Sequence, residues 1–324
     1  MPTPDVCFFE AFEEEADAMR ECLPADITAE FTWKTIQEAG HEHPPAPIIS
    51  VRTQSIIPEA WGAGLRAILT RSTGYDHITA YRNQTDTPAE CGYLPLYCNR
   101  AVAEQALLLW MALLRKLPQQ LQQLSAFHRD GLTGRECERK TLAVFGVGNI
   151  GHEVVRIGTG LGMRVLGVDP AQRWDDVTYA SATDAIPQAD IIVCARNLTE
   201  DNRGYFDAQT LAQAKPRALF VNIARGELTV PGDLLALLDA GQLSGVGMDV
   251  YADEPELAVS LRTETPSANP IVAATLKLID HPRTICTPHN AFNTTESVNR
   301  KASQSMEQLQ HLRAHSTFLW PVPA

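Results

Sequence analysis

The stretch TLAVFGVGNIG, residues 141–151, decides how the chain is read. Thr141–Phe145 is an unbroken apolar run of strand length, and Gly146, Gly148 and Gly151 follow it in the spacing GxGxxG. Ile150, Val154, Ile157 and Leu161 then recur at helical spacing, and Gly160 and Gly162 stop the helix. A second strand-like run, Met163–Val168, leads to Asp169, 18 residues past Gly151. Strand, glycine turn, helix, strand and acid in this order form the fingerprint of a dinucleotide-binding βαβ unit. Gly146 permits the tight turn, Gly148 lets backbone approach a pyrophosphate, and Gly151 lets helix and strand pack closely. The helix N-terminus, with Asn149 and Ile150 in its first turn, offers N–H donors and positive potential to phosphates. Asp169 is placed to accept hydrogen bonds from an adenosine ribose. Its charge repels a 2′-phosphate, so NAD is expected rather than NADP.

The pattern continues on both sides. Asp190–Cys194, Leu219–Ile223, Gly245–Val250 and Thr284–Cys286 read as further strands, and Pro231 opens a helix that ends near Gly241. Strands alternating with helices predict a parallel sheet covered on both faces. The first 98 residues show a weaker alternation, with strands expected at Val6–Phe9, Ile27–Trp33, Pro47–Val51 and Ala67–Thr70. Ala101–Leu117 reads as one long helix, apolar nearly all round, to be buried between domains or against another subunit. The apolar end, Phe318 to Pro323, is expected to rejoin the N-terminal domain. The fold expected is α/β, with two doubly wound parallel-sheet (Rossmann-like) domains. Residues 99–290 form the NAD-binding domain, and residues 1–98 plus 291–324 form a discontinuous, flavodoxin-like substrate domain.

Composition narrows the function classes. The 324 residues are 44% hydrophobic and carry a net charge of −12, which suits about two globular domains and disfavours nucleic acid or an anionic membrane as partner. The first residues lack the basic and apolar regions of a secretion signal, no apolar run is long enough to span a membrane, and seven scattered cysteines contain no CxxC pair. A soluble cytoplasmic protein is expected. His41-Glu42-His43 and the pair His311 and His315 lack a third ligand at close spacing, so no metal is expected.

Ligands of doubly wound sheets bind outside the carboxyl ends of the strands. Three successive strands deliver chemistry there: Ala224-Arg225-Gly226, then Asp253-Glu254-Pro255-Glu256, then Thr287-Pro288-His289. An arginine clamps a carboxylate bidentately. A histidine beside a carboxylate favours its protonated form and can pass a proton to a carbonyl oxygen. The pattern leaves Asp253, Glu254 and Glu256 equivalent as the histidine's partner.

These motifs resemble the D-isomer-specific 2-hydroxyacid dehydrogenase family. The resemblance runs from about Val51 to the His289 region. It is carried by Thr73-Gly74-Tyr75-Asp76, Ala101-Val102-Ala103-Glu104, the glycine fingerprint, Asn222 to Gly226, Gly247 to Tyr251, Glu254-Pro255 and Thr287-Pro288-His289. It implies Arg225 as the anchor of substrate carboxylate and keto oxygen, His289 as acid/base and Glu254, the acid before proline, as its partner. It adds Asn197, Ala224 and Asp249 to the cofactor-binding residues, and backbone at Val51 and Gly74 to the substrate site. Tyr97 and His289-Asn290-Ala291-Phe292 are similar to the D-lactate dehydrogenase branch, with Tyr97 and Phe292 as substrate contacts. Members often carry histidine where Gln105 stands, and Leu-His-x-Pro where Cys194-Ala195-Arg196-Asn197 stands. The resemblance implies an NAD-dependent exchange of a small 2-keto acid and a D-2-hydroxy acid, in a homodimer. Two other readings are an NAD(H)-sensing corepressor-type regulator and a dehydrogenase for another small anion such as phosphite or formate.

Overall fold

The computed structural model describes residues 3–323. The strands are β1 Val6–Phe8, β2 Ala29–Phe31, β3 Ile48–Val51, β4 Ala67–Thr70, β5 Glu90–Gly92, β6 Thr141–Phe145, β7 Arg164–Val168, β8 Ile191–Cys194, β9 Ala218–Asn222, β10 Leu243–Met248 and β11 Thr284–Cys286. The helices are α1 Glu13–Cys22, α2 Ile36–Ala39, α3 Asp76–Thr85, α4 Asn99–Leu114, α5 Leu117–Gln123, α6 Asn149–Gly160, α7 Ala182–Ala185, α8 Ala208–Leu211, α9 Pro231–Asp239, α10 Glu254–Thr263, α11 Pro270–Ile279 and α12 Thr295–His315. They divide into two compact units, residues 1–98 with 293–324, and residues 99–292. The boundary falls after Phe292 rather than after residue 290, because the backbone N–H groups of Asn290 and Ala291 are tied to Asp249 in the second unit.

The first unit holds a parallel sheet in the order β2-β1-β3-β4-β5. The edge strand β5 escapes sequence pattern because it is three residues long and contains a charge and a glycine. That glycine is required by the tail: a Cβ on Gly92 would lie 2.5 Å from the ring of Phe318. Val322 donates its N–H to the carbonyl of Cys91 at 2.7 Å, so the apolar end of the chain is fastened to β5.

Beneath this sheet lies a charged cluster with no solvent exposure. Arg71 Nε bonds Glu15 of α1 at 2.8 Å, and Lys301 Nζ of α12 approaches the same carboxylate oxygen at 3.3 Å. Arg71 also donates to the carbonyl of Phe9 at 2.6 Å and to Ser50 Oγ at 3.0 Å. Lys301 sits 5.1 Å over the ring of Tyr97 and 5.6 Å over that of Phe12. Burial raises the Glu15 carboxyl, but the charges of Arg71, Lys301 and Arg52 outweigh it and hold the pKa at about 2. Burial, with repulsion from Arg52 and Arg71, pushes the Lys301 ammonium down to about 7.

The second unit is a six-stranded parallel sheet, β11-β10-β9-β8-β6-β7. Its core packs Phe145, Phe206, Phe220, Leu234 and Val246. The long apolar helix breaks earlier than its hydrophobicity suggests. Pro118 has no N–H and its ring would strike the carbonyl of Leu114, so α4 ends at Leu114. Lys116 turns with φ +53°, and α5 restarts with the proline in its first turn. Helix α4 packs against α6, β9 and β10, with Leu109 and Trp110 fully buried. Among the described residues no helix is long and apolar enough to cross a membrane.

Glu15→Ala leaves two buried cations without their carboxylate, and a loss of about 3–5 kcal/mol is expected in denaturant unfolding. Because Lys301 titrates near 7 when folded and at 10.5 when unfolded, the unfolded chain binds more protons between these values. Stability contributed by this residue therefore rises with pH across that window, and Lys301→Met is expected to remove that slope.

Candidate active site

The glycine turn joins β6 to α6. Gly146 has φ +86°, and a Cβ there would lie 2.6 Å from Arg196 Cα, so both conformation and space demand glycine. A Cβ on Gly151 would lie 1.9 Å from the carbonyl oxygen of Gly146, which fixes how tightly α6 seats on the turn. Gly148, the cap residue before Asn149, faces open space, with nothing within 4 Å of a Cβ built on it. The turn therefore leaves an uncovered backbone concavity at the N-terminus of a twelve-residue helix, which suits a pyrophosphate. Asp169 follows β7; its Oδ2 accepts from Val147 N and its Oδ1 from Ala171 N, each at 2.8 Å. One bond per oxygen holds the carboxylate still and leaves acceptor capacity for ribose hydroxyls. These residues fit an NAD cofactor. Asn197 is exposed, in the loop after β8, and its carbonyl accepts from Asn202 Nδ2 at 2.9 Å. Ala224 is half-buried beyond β9.

Arg225 follows Ala224. Asn222 shapes this turn, its amide donating to the carbonyl of Arg225 at 2.8 Å and its Oδ1 accepting from Ala224 N at 3.0 Å. Arg225 Nη1 donates to the carbonyl of Ala224 at 2.8 Å. Gly226 brings the ends of β9 and β10 together: a Cβ there would lie 1.9 Å from the carbonyl carbon of Tyr251.

The choice among three carboxylates is made by the turn into α10. Asp253 adopts φ +53°, and Glu254 opens the helix. Its carboxylate meets His289 Nδ1 at 2.8 Å and 3.0 Å, with side-chain exposures of 19% for Glu254 and 24% for His289. Asp253 and Glu256 instead accept from Asn269, and Glu256 also from Ser267. A carboxylate on Nδ1 sets the ring tautomer and leaves Nε2 as the nitrogen for proton exchange.

The histidine loop has its own support. His289 itself adopts φ +50°. Asp249, at the end of β10 and 1% exposed, accepts from Asn290 N and Ala291 N at 2.9 Å each and from Thr287 Oγ1 at 2.5 Å. Burial raises the Asp249 carboxyl, while the bonds from Thr287, Asn290 and Ala291 and the charge of His289 draw it back down. Gln105 of α4 donates to Thr287 Oγ1 at 3.1 Å, and Tyr251 donates its hydroxyl to the carbonyl of Thr287 at 2.8 Å. Gln105, Thr287 and Tyr251 thus serve the site, although sequence reading assigned none of them a role. The signals were that Thr287 and Tyr251 lie in segments that carry the family resemblance, and that Gln105 stands where the family often has histidine.

In the first unit Val51 closes β3 and its carbonyl accepts from Arg71 N at 2.8 Å, while the carbonyl of Gly74 accepts from Ser72 Oγ at 2.6 Å. Tyr97 is buried, which lifts its hydroxyl well above the usual phenol range. Phe292 is buried and belongs to the second unit. Among the described residues no group of three or more ligating side chains could hold a metal ion.

Comparison with known proteins identifies the family. Residues 107–291 match the family described as D-isomer specific 2-hydroxyacid dehydrogenase, NAD binding domain. The chain belongs to that family. It is an NAD-dependent D-2-hydroxyacid dehydrogenase, with relatives across fungi and bacteria. It is 28% identical over 260 residues to 2-hydroxyacid dehydrogenase A of Aspergillus oryzae, covering 79% of this chain and 74% of that protein. It is 28% identical over 279 residues to a D-specific alpha-keto acid dehydrogenase of Enterococcus faecalis, covering 81% and 84%. Its fold matches the crystal structure of D-lactate dehydrogenase from Aquifex aeolicus complexed with NAD and lactic acid at a TM-score of 0.84. There 24% of residues are identical, over 98% of this chain and 100% of that one.

Asp249→Asn keeps the side chain's size but cannot accept from all three donors. Buried donors left unpaired in this loop are expected to cost about 1–3 kcal/mol, read as a lower thermal midpoint, together with a fall in kcat.

Proposed function

We propose that the protein reduces a small 2-keto acid to the D-2-hydroxy acid and catalyses the reverse, with His289 as acid/base. The observation that carries this reading is the 2.8 Å contact between Glu254 and His289 Nδ1 at the carboxyl edge of the cofactor-binding sheet. NADH supplies the hydride when bound. In reduction, protonated His289 delivers its Nε2 proton to the keto oxygen, and Glu254 stabilises the imidazolium and holds its orientation. In oxidation the neutral imidazole takes the hydroxyl proton back. Arg225 holds the substrate carboxylate and polarises the keto oxygen through its planar fork of donors. The turn at Gly146, Gly148, Asn149, Ile150 and Gly151 seats the pyrophosphate and Asp169 the ribose, with Asn197, Ala224 and Asp249 lining the cofactor site. Val51, Gly74 and Tyr97, near the carboxyl edge of the first sheet, and Phe292 are proposed substrate contacts. Names of relatives acting on 2-hydroxy acids and alpha-keto acids support the substrate class.

The protein is further proposed to form a homodimer through α5 and the segment after it. Leu117, Leu121 and Leu124 form an i, i+4, i+7 stripe that is 41%, 65% and 64% exposed, and Phe127 beyond them is 74% exposed. Such a patch favours a second copy of the same surface. Seven free cysteines support a reducing, cytoplasmic location.

His289→Ala is expected to lower turnover by about 10²–10⁴-fold while NADH affinity, read by nicotinamide fluorescence, holds. Unchanged turnover would remove the acid/base role. Arg225→Lys should raise KM across a panel of 2-keto acids more than it weakens NADH binding, because an ammonium cannot clamp bidentately. Leu121→Asp with Phe127→Asp should convert a dimer to a monomer in light scattering coupled to gel filtration; an unchanged mass would place the contact elsewhere.

A further inference from the structure

A cavity of about 450 Å³ lies in the second unit, at the amino ends of the strands whose carboxyl ends carry Arg225, Glu254 and His289. Arg217 precedes β9, Ser244 is the second residue of β10 and Arg283 precedes β11; all three line the cavity, with Lys116 and Arg135 from the α4–α5 region and the loop beyond it. The lining holds four basic side chains and no carboxylate among the described residues. Three of the four are partly used by neutral groups. Arg135 Nη2 donates to Ser244 Oγ at 2.7 Å, and Arg283 donates to the carbonyl of Leu238 at the end of α9. Lys116 Nζ donates to the carbonyl of Gly131 at 2.5 Å. The Arg217 side chain has no hydrogen-bond or ion-pair partner among the described residues.

The charges crowd one another. Burial and the charge of Arg217 lower the Arg135 guanidinium, against a partial pull from Asp190, itself paired with Lys215 at 2.8 Å. The carboxyl ends of α4, α9 and α11 point to the same edge and offset about half a charge each, less than four cations carry. Holding four cations around one concavity, on a chain of net charge −12, costs energy that a bound anion would recover.

We propose that this cavity is a binding site for a small polyanion, a ligand with at least two phosphate or carboxylate groups, separate from the catalytic edge of the same sheet. Guanidinium forks from Arg135, Arg217 and Arg283 match such groups bidentately, and Leu113, Pro118 and Pro282 line it with apolar surface for a short carbon skeleton. Pro118 and Gln119 serve the cavity from α5, while the exposed Leu117 and Leu121 occupy other positions of that helix.

The test is calorimetric titration of the full chain, saturated with NADH so that the cofactor site is filled, with pyrophosphate in one arm and citrate in the other at low ionic strength. Saturable binding of either anion is expected, weakened about tenfold or more in Arg217→Gln and in Arg135→Gln, with NADH affinity unchanged. Stronger binding of pyrophosphate identifies a phosphorylated ligand, and stronger binding of citrate a polycarboxylate. Absence of saturable heat with both anions, or equal affinity in the wild type and Arg217→Gln, would overturn the proposal. Because the Arg217 side chain supports no other group, its replacement tests the site without testing the fold.

Discussion

The carboxylate of Asp249 ties the last two strands of the cofactor-binding sheet to the loop that carries His289. A histidine in a left-handed backbone conformation, φ +50°, does not stay aimed by its own preference. It is held because one buried carboxylate accepts two successive N–H groups just beyond it, and because Thr287, bonded to that carboxylate, is gripped by Gln105 and Tyr251. The imidazole then meets Glu254 at the start of α10. Helix α4, strand β10 and the 287–291 loop therefore set the geometry of the His289–Glu254 pair, the proposed site of proton transfer, through hydrogen bonds that lie behind it.

Much of this is written in local patterns. A parallel sheet with both faces covered leaves unbroken apolar runs, so β6, β8 and β9 stand out, and the fingerprint from Gly146 to Gly151 states a backbone requirement that only glycine meets. Arg225 and His289 were legible as candidates because they follow strand ends. The selection of Glu254 over Asp253 and Glu256 was legible only through family resemblance, since it depends on a left-handed turn at Asp253 that spacing does not express. Strand β5 was invisible because three residues with a charge and a glycine carry no strand pattern, and the tail that packs on Gly92 lies more than two hundred residues away in sequence. The break between α4 and α5 is present in the letters, as Pro118, directly after a run whose hydrophobicity alone predicts one helix.

Charge is distributed on a different logic from composition. A chain of net charge −12 still concentrates cations locally: Arg71 and Lys301 around Glu15, Arg225 at a strand end, and four basic groups around one cavity. Lys116, Arg135, Arg217 and Arg283 are scattered along the chain and meet only because strand starts and helix ends share an edge. No sequence window contains them.

The fastening of the tail to β5 has a consequence for synthesis. Residues 1–98 leave the ribosome first, yet the helix that brings Lys301 to Glu15 and the segment that covers Gly92 lie beyond residue 292. The second unit is contiguous and has every element of its sheet once His289 has emerged. The first unit therefore cannot complete its buried charge cluster or cover Gly92 until residues beyond 292 have been made, and Glu15 and Arg71 are without Lys301 until α12 is synthesised.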